Sequence, residues 1–271
     1  MAFKIGFAVE VQRSQTEEIV CKEPQQEGTV RRSVVQVYFE DRDMTLAYYN
    51  DQFDLRRGDL VYVDGKLEGL LGRVKEVNYN FKIKVSDYKR VIAVVDTSVR
   101  GRLFMGGSHF VTFERDTLPN LKVRSWFKAP VKEEEEFVSG SDDTTFRLDD
   151  LSGMKVSAAI AERGYDYYMD NKVRYISLDG AKGYAIVEGS EAYEVEFEYD
   201  NGEITKLTCS CFCSYNCKHE FAAMLQLRET LKVIEKNYAA EYEKSGYFAA
   251  VTKGTLFAFA IDGKEDGSFV L

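Results

Sequence analysis

Apolar and polar residues alternate with a period of two along much of the chain, and the spacing turns helical in two later stretches. Phe3, Ile5, Phe7, Val9 and Val11 alternate and predict a strand over residues 3–11; the β-rich run Val34 to Phe39 predicts another over 33–39. Between them the polar stretch from Gln12 to Arg32, with Pro24 and Gly28, reads as a loop. Leu60-Val61-Tyr62-Val63 and Arg73-Val74-Lys75-Glu76-Val77 form two short alternating runs divided by Gly65, Gly69 and Gly72. Further strands are expected at Phe81–Val85, at Val91–Val95 and within Leu103–Phe113. Short strands joined by glycine turns are what a small, strongly bent β-barrel of SH3-like or OB-like type requires.

A proline, an acidic run and a Ser/Gly/Asp cluster between Ala129 and Asp143 mark a boundary. The expected organisation is a β-barrel domain over 1–128, an acidic linker over 129–144 and a second domain over 145–271, with Trp126 capping the first core. In the second domain Ala158, Ile160, Ala161, Tyr165 and Tyr168 give residues 157–169 a helical stripe. Strands follow at Val173–Leu178, Gly183–Glu188 and Ala192–Tyr199, and Asp200-Asn201-Gly202 turns the chain into a fourth that ends at Cys209. A helix beginning near Lys218 buries Phe221, Met224, Leu225, Leu231 and Ile234 and runs toward a break at Ser245-Gly246. Residues 255–261 and 268–271 look like a closing hairpin. The fold class is therefore α+β: a small barrel, then a helix, a sheet, the segment that follows Cys209 and a helix.

Composition adds the chemistry. Four of the five cysteines and one of the two histidines fall between Cys209 and His219. The pattern Cys209-x-Cys211, five residues, Cys217-x-His219 offers three thiolates and an imidazole, a set that closes a tetrahedral structural zinc shell. Residues i and i+2 of a strand share a face, so Cys209 and Cys211 can both reach one ion. Cys217 and His219 lie where the helix begins, and its first amides with Lys218 help tolerate the negative charge of three thiolates. A rival register of Cys211, Cys213, Cys217 and His219 leaves three residues for the return loop and Cys209 idle; the longer loop is preferred, which makes Cys213 a spare thiol. A redox dithiol would ordinarily be spaced Cys-x-x-Cys, and such a pair is missing here. The start of the chain, Met1 to Glu10, is too short an apolar stretch for a signal peptide, so a reducing, cytoplasmic setting is expected.

Cys209-x-Cys211 followed by Cys217-Lys218-His219 and an apolar helix resembles the SWIM zinc finger. The likeness covers roughly residues 155 to 260: the Ile160–Tyr168 helix and the strands ending at Phe197 are similar to the elements that precede the finger in bacterial members. Many members have Pro after the second cysteine where this chain has Phe212, and Cys213 is additional. The resemblance implies one structural zinc ion, a role in binding DNA or protein, and no catalytic activity. Around residues 48–74, with Tyr48 or Tyr49, Gly58, Val61, Val63, Gly72 and Val74, the chain weakly resembles the small β-barrel DNA-binding domain of the primosomal helicase family. Those positions are mostly fold-determining, so this likeness implies a barrel more than a ligand.

Net charge is −9 and unevenly spread, +3 over residues 1–130 and −12 over 131–271. A whole-protein basic footprint for nucleic acid is absent, so a local patch would have to supply it. Arg56, Arg57, Arg73, Lys75, Lys82, Lys84, Lys89 and Arg90 are candidates, interleaved with Tyr62, Tyr79, Phe81 and Tyr88; cations meet phosphates and rings stack on bases. The same alternation is also what half-exposed strands with an aromatic core show. His109, after Gly106-Gly107-Ser108, lacks a surrounding nucleophile motif and is expected to be a loop histidine. With no phosphate-cradling Gly-Lys motif and no His-Glu-x-x-His, the chain is expected not to be an enzyme, to take no small-molecule substrate and to span no membrane. Two readings follow: a zinc module that binds nucleic acid or a protein of the nucleic-acid machinery, or an adaptor that binds protein alone with zinc purely structural.

Overall fold

The computed structural model describes residues 30–130, 145–211, 213 and 215–262. The strand expected over 3–11, most of the following loop, the linker from 131 to 144 and the end of the closing hairpin lie outside the described residues.

Two antiparallel sheets organise the chain. The first contains β1 (Ser33–Phe39), β2 (Met44–Asn50), β3 (Leu60–Val63), β4 (Gly72–Asn78) and β5 (Val91–Val94), in the order β2-β1-β4-β3-β5. On β1, Val35, Val37 and Phe39 point inward and are fully buried; with Val61, Val63 and Val74 they form a compact core. Among the described residues the expected barrel is not closed. Its edges meet, among the described residues, at one isolated bridge between Tyr49 and Arg90, where Tyr49 N–H donates to Lys89 O at 2.8 Å. The reason lies in the strands expected to complete it, which pair elsewhere.

Those strands, β6 (Phe104–Gly106) and β7 (His109–Thr112), join the second sheet through β13 (Tyr247–Thr252), with Ala249 opposite Thr112 and Thr252 opposite His109. Among the described residues that sheet has eight strands. Its remaining members are β8 (Phe146–Arg147), β9 (Val173–Asp179), β10 (Lys182–Glu188), β11 (Ala192–Asp200) and β12 (Glu203–Cys209), and the order is β6-β7-β13-β9-β10-β11-β12-β8. The strand expected at 81–85 does not form. Residues 79–84 keep their alternation of half-buried and exposed positions, but they belong to the connection between β4 and β5. These two strands flank β3 and are both antiparallel to it, so they run parallel and need a crossover.

The central strands of the large sheet are buried on both faces, which explains their almost unbroken apolar sequence. Ile176, Leu178, Ala185, Val187, Phe248 and Ala250 face one core. Helices α2 (Ala158–Met169) and α3 (Lys218–Asn237) cover it; Ser157 caps α2 by accepting from Ile160 N–H. Gly164 lets the two helices approach, since a Cβ there would stand 2.8 Å from Phe221 Cβ. The helical run breaks at Ser245-Gly246 as expected, with Gly246 at φ 61°, but Tyr238 divides it into α3 and a short helix, α4 (Ala239–Ser245).

Tyr175, Tyr184, Ile186, Tyr247 and Val251 face a second core, shared with Leu60, Tyr62, Val95 and Leu118 from the first half. Trp126, on α1 (Asn120–Phe127), is 1% exposed in this shared core and donates its indole N–H to Asp96 O at 2.8 Å. The segment expected as a strand at 255–261 is instead α5 (Lys253–Ala260), capped by the Thr252 hydroxyl. Leu256 and Ala260, one helical turn apart, are buried, and Phe259 stacks on Trp126 at 5.1 Å. His109 is likewise no loop residue. It is wholly buried on β7, with Nε2 2.9 Å from Val173 O and Nδ1 2.9 Å from the Ser108 hydroxyl.

Candidate metal centre

The end of β12 supplies the first pair of ligands. Cys209 stands opposite Val195 in the β11–β12 ladder, and Ser210 fixes the next step twice: its N–H donates to Glu194 O at 2.8 Å, and its hydroxyl accepts from Glu194 N–H at 2.9 Å. The start of α3 supplies the second pair. Cys217 is the N-cap, its sulfur accepting from Glu220 N–H at 3.5 Å while Cys217 N–H donates to the Glu220 carboxylate at 2.6 Å. This reciprocal capping box holds the backbone turn from which Cys217 and His219 both project inward. Asn216 anchors the approach by donating to Met154 O at 2.7 Å.

The ligand atoms of Cys209, Cys211, Cys217 and His219 all lie within 4.8 Å of one another. His219 Nδ1 is 3.8 Å from Cys209 Sγ and 3.7 Å from Cys217 Sγ. Metal–sulfur bonds near 2.3 Å and metal–nitrogen bonds near 2.0 Å put the sulfur–nitrogen edge of a tetrahedron at about 3.5 Å. The arrangement therefore fits one ion with little movement. Cys217 is 3% exposed and His219 4%, Cys209 and Cys211 are half-buried, and Cys213 is exposed. Of the two registers, the one using Cys209 is the one brought together.

Protonation favours the same reading. Burial is the chief cause that pushes the Cys211 thiol up to about 12, with the neighbouring Cys217 adding to it. Cys217 is pushed up further, first by its hydrogen bond with Cys209 and then by burial and Glu220. Clustered thiols resist ionising together until a cation compensates them. Backbone N–H groups of Cys213 and Glu220 bond to the sulfurs of Cys211 and Cys217 and favour the thiolates. His219 is pushed down to about 4, by burial and then by Lys218, so its imidazole is neutral and its lone pair can coordinate.

The eight basic candidates of the first half are not gathered into one site. Arg56 and Arg57 are exposed in the turn before β3, and Lys82, Lys84 and Lys89 are exposed on the β4–β5 crossover. Lys75 lies over the Tyr38 ring at 4.9 Å. Arg73 donates to the carbonyls of Gly58 at 3.2 Å and Asp262 at 2.9 Å. Arg90 pairs with Asp51 at 2.6 Å and covers Tyr49 at 5.2 Å, and Lys84 lies 3.7 Å from Asp87. Sequence reasoning missed the residues that support the metal ligands. Glu220, three residues after Cys217, was a readable capping signal, whereas Tyr167 and Tyr193 reach His219 through tertiary packing that carries no local signal.

No family model matches the chain, and no solved structure does. An uncharacterised protein of Methanocaldococcus jannaschii is 36% identical over 69 residues, which are 26% of this chain and 29% of that protein. The chain thus matches under a third of the relative's length. No helix among the described residues is long and apolar enough to cross a membrane.

Proposed function

We propose that the chain is a non-catalytic zinc protein of the SWIM-finger type whose metal centre organises a module that binds nucleic acid or a protein of the nucleic-acid machinery. The observation that carries it is the convergence of three sulfurs and one imidazole nitrogen within 4.8 Å, between the end of β12 and the start of α3. Three thiolates and an imidazole suit zinc, whose borderline softness and tetrahedral preference match the set. Bound there, zinc supplies a cross-link between sheet and helix. Cys209, Cys211, Cys217 and His219 fill all four positions, which leaves no place for a reacting water and argues against catalysis. The binding role draws on the exposed Arg56, Arg57, Lys75, Lys82 and Lys89, cations suited to phosphate contacts.

The engagement of Arg73 with two carbonyls and of Arg90 with Asp51 favours a second reading, an adaptor that binds protein alone. Elemental analysis of the full chain, with titration of single- and double-stranded oligonucleotides at several salt concentrations, separates the two. One zinc per chain with salt-sensitive binding is the expected result. One zinc with no binding leaves the adaptor, and no stoichiometric metal overturns both.

A further inference from the structure

A metal-bound imidazole ordinarily donates its second N–H to a carboxylate, carbonyl or water, which fixes the rotation of the ring. His219 departs from this. Its Nε2 is buried and has no hydrogen-bond partner among the described residues. What surrounds the ring is aromatic. Tyr193, on β11, stacks on it with ring centres 4.2 Å apart and planes 18° from parallel, and Tyr167, on α2, meets it at 5.5 Å and 60°.

Both tyrosines are themselves held. The Tyr193 hydroxyl is 2.8 Å from the Ser190 hydroxyl in the turn between β10 and β11, and Lys218 Nζ lies 4.4 Å from the centre of the Tyr167 ring. Gly189 completes the enclosure. A Cβ at that position would stand 2.9 Å from Tyr193 Cε2, 3.3 Å from His219 Nε2 and 3.4 Å from the Tyr167 hydroxyl, so all three side chains close around a residue without one. The edge of the ring opposite the thiols is therefore packed.

We propose that Tyr193 is a positioning residue for the metal centre: its stacked ring, with Tyr167 at the side, sets the rotation of His219 and aims Nδ1 at the three sulfurs. It takes the role that a hydrogen bond to the second nitrogen plays in other metal sites. This inference rests on the reading of the four ligands as a metal site. It assigns a function to the β10–β11 turn and to α2, which carry no ligand.

The test uses the full chain, Zn2+ affinity by competition with a chromophoric chelator, and the visible absorption of the Co2+ form. Tyr193→Leu removes the stacked ring and keeps an apolar side chain; the expected result is about tenfold weaker Zn2+ binding. Its Co2+ bands should shift, because the nitrogen donor is no longer held in one orientation. Tyr193→Phe keeps the ring and should stay within about twofold of wild type, since the stack survives without the hydroxyl. Gly189→Ala should weaken binding as Tyr193→Leu does. Equal affinity in wild type and Tyr193→Leu would overturn the proposal, as would weaker binding with unshifted Co2+ bands, which would mark a general loss of stability. A wild-type chain that takes up no Zn2+ would defeat the metal reading as well.

Discussion

Cys209, the last residue of β12, and His219, in the first turn of α3, hold their Sγ and Nδ1 atoms 3.8 Å apart across the junction of sheet and helix. The helix leaving that junction covers one face of the large sheet, so a metal ion there would pin an interface as well as a loop. Metal affinity is then part of the folding free energy. Cys217→Ala and His219→Ala should each abolish stoichiometric metal and lower stability by several kcal/mol, whereas Cys213→Ser should do neither. Native mass spectrometry with and without chelator, beside urea melts, checks both halves. Metal retained by His219→Ala, or lost from Cys213→Ser, would refute the ligand set.

Metal uptake should also release protons. Cys211 and Cys217, both pushed well above the ordinary thiol range, are protonated near neutrality without metal and must ionise to bind it. At least two protons per ion are therefore expected near pH 7, and calorimetric titration in buffers of differing ionisation enthalpy counts them. Fewer than one would mean that the thiols do not ligate.

Glu194 receives Arg124 at 3.0 Å and Lys128 at 2.7 Å, both from the α1 region, and accepts the Tyr184 hydroxyl at 3.0 Å. Burial works to raise this carboxyl, but the hydrogen bonds from Lys128 and Arg124 outweigh it and hold the group below its ordinary value. The trio joins the first half of the chain to β11. Glu194→Gln strands two partly buried cations and should cost about 2 kcal/mol, less than for a fully buried pair because water reaches the site. Denaturant unfolding measures it, and a loss under about 0.5 kcal/mol would show that solvent screens the pairs.

His109 gives stability a pH dependence of defined sign. Burial pushes it down to about 4 from an ordinary 6.5, with Arg174 and Lys253 lowering it further against the raising effect of the Val173 carbonyl. Above the ordinary value neither the folded nor the unfolded chain is protonated there, so nothing is lost. As pH falls from about 6.5 toward 4 the unfolded chain takes a proton that the folded one refuses, and about 3 kcal/mol drains away in total. His109→Gln should remove that slope. The difference between wild type and variant isolates it from His219, which burial also lowers. Parallel slopes for the two proteins would refute the assignment.

Local patterns made residues 157–237 legible. Residues 157–169 carried a helical stripe, Asn201-Gly202 marked a turn, and clustered ligands marked the junction. What stayed hidden was decided by distant partners. Phe104–Thr112 reads as barrel strand, and its allegiance to β13 depends on a partner far along the chain. Residues 255–261 carry aromatics that suit a strand, yet burial of Leu256 and Ala260 one turn apart and the stack of Phe259 on Trp126 favour a helix. Tyr247–Thr252 lacks polar alternation because both of its faces are covered, and it escaped notice for that reason.

The basic residues of the first sheet divide into two kinds, and their substitution should separate binding from folding. Lys82 and Lys89 are exposed on the crossover, and Lys84 is exposed there with a loose 3.7 Å approach to Asp87. Arg90 instead holds Asp51 at 2.6 Å beside the bridge to Tyr49. If the crossover meets single-stranded nucleic acid, replacing the three lysines with Ala removes up to three phosphate contacts. The slope of log affinity against log salt should then shrink by about 2, at roughly 0.7 per contact, with the unfolding midpoint unchanged. Arg90→Ala should do the reverse, lowering stability by about 1 to 2 kcal/mol while the slope moves by less than one contact, because its charge is already engaged. Fluorescence anisotropy with a labelled oligonucleotide at four salt concentrations reads the slopes. An unchanged slope in the triple variant would remove the crossover from the binding surface and leave the adaptor reading standing.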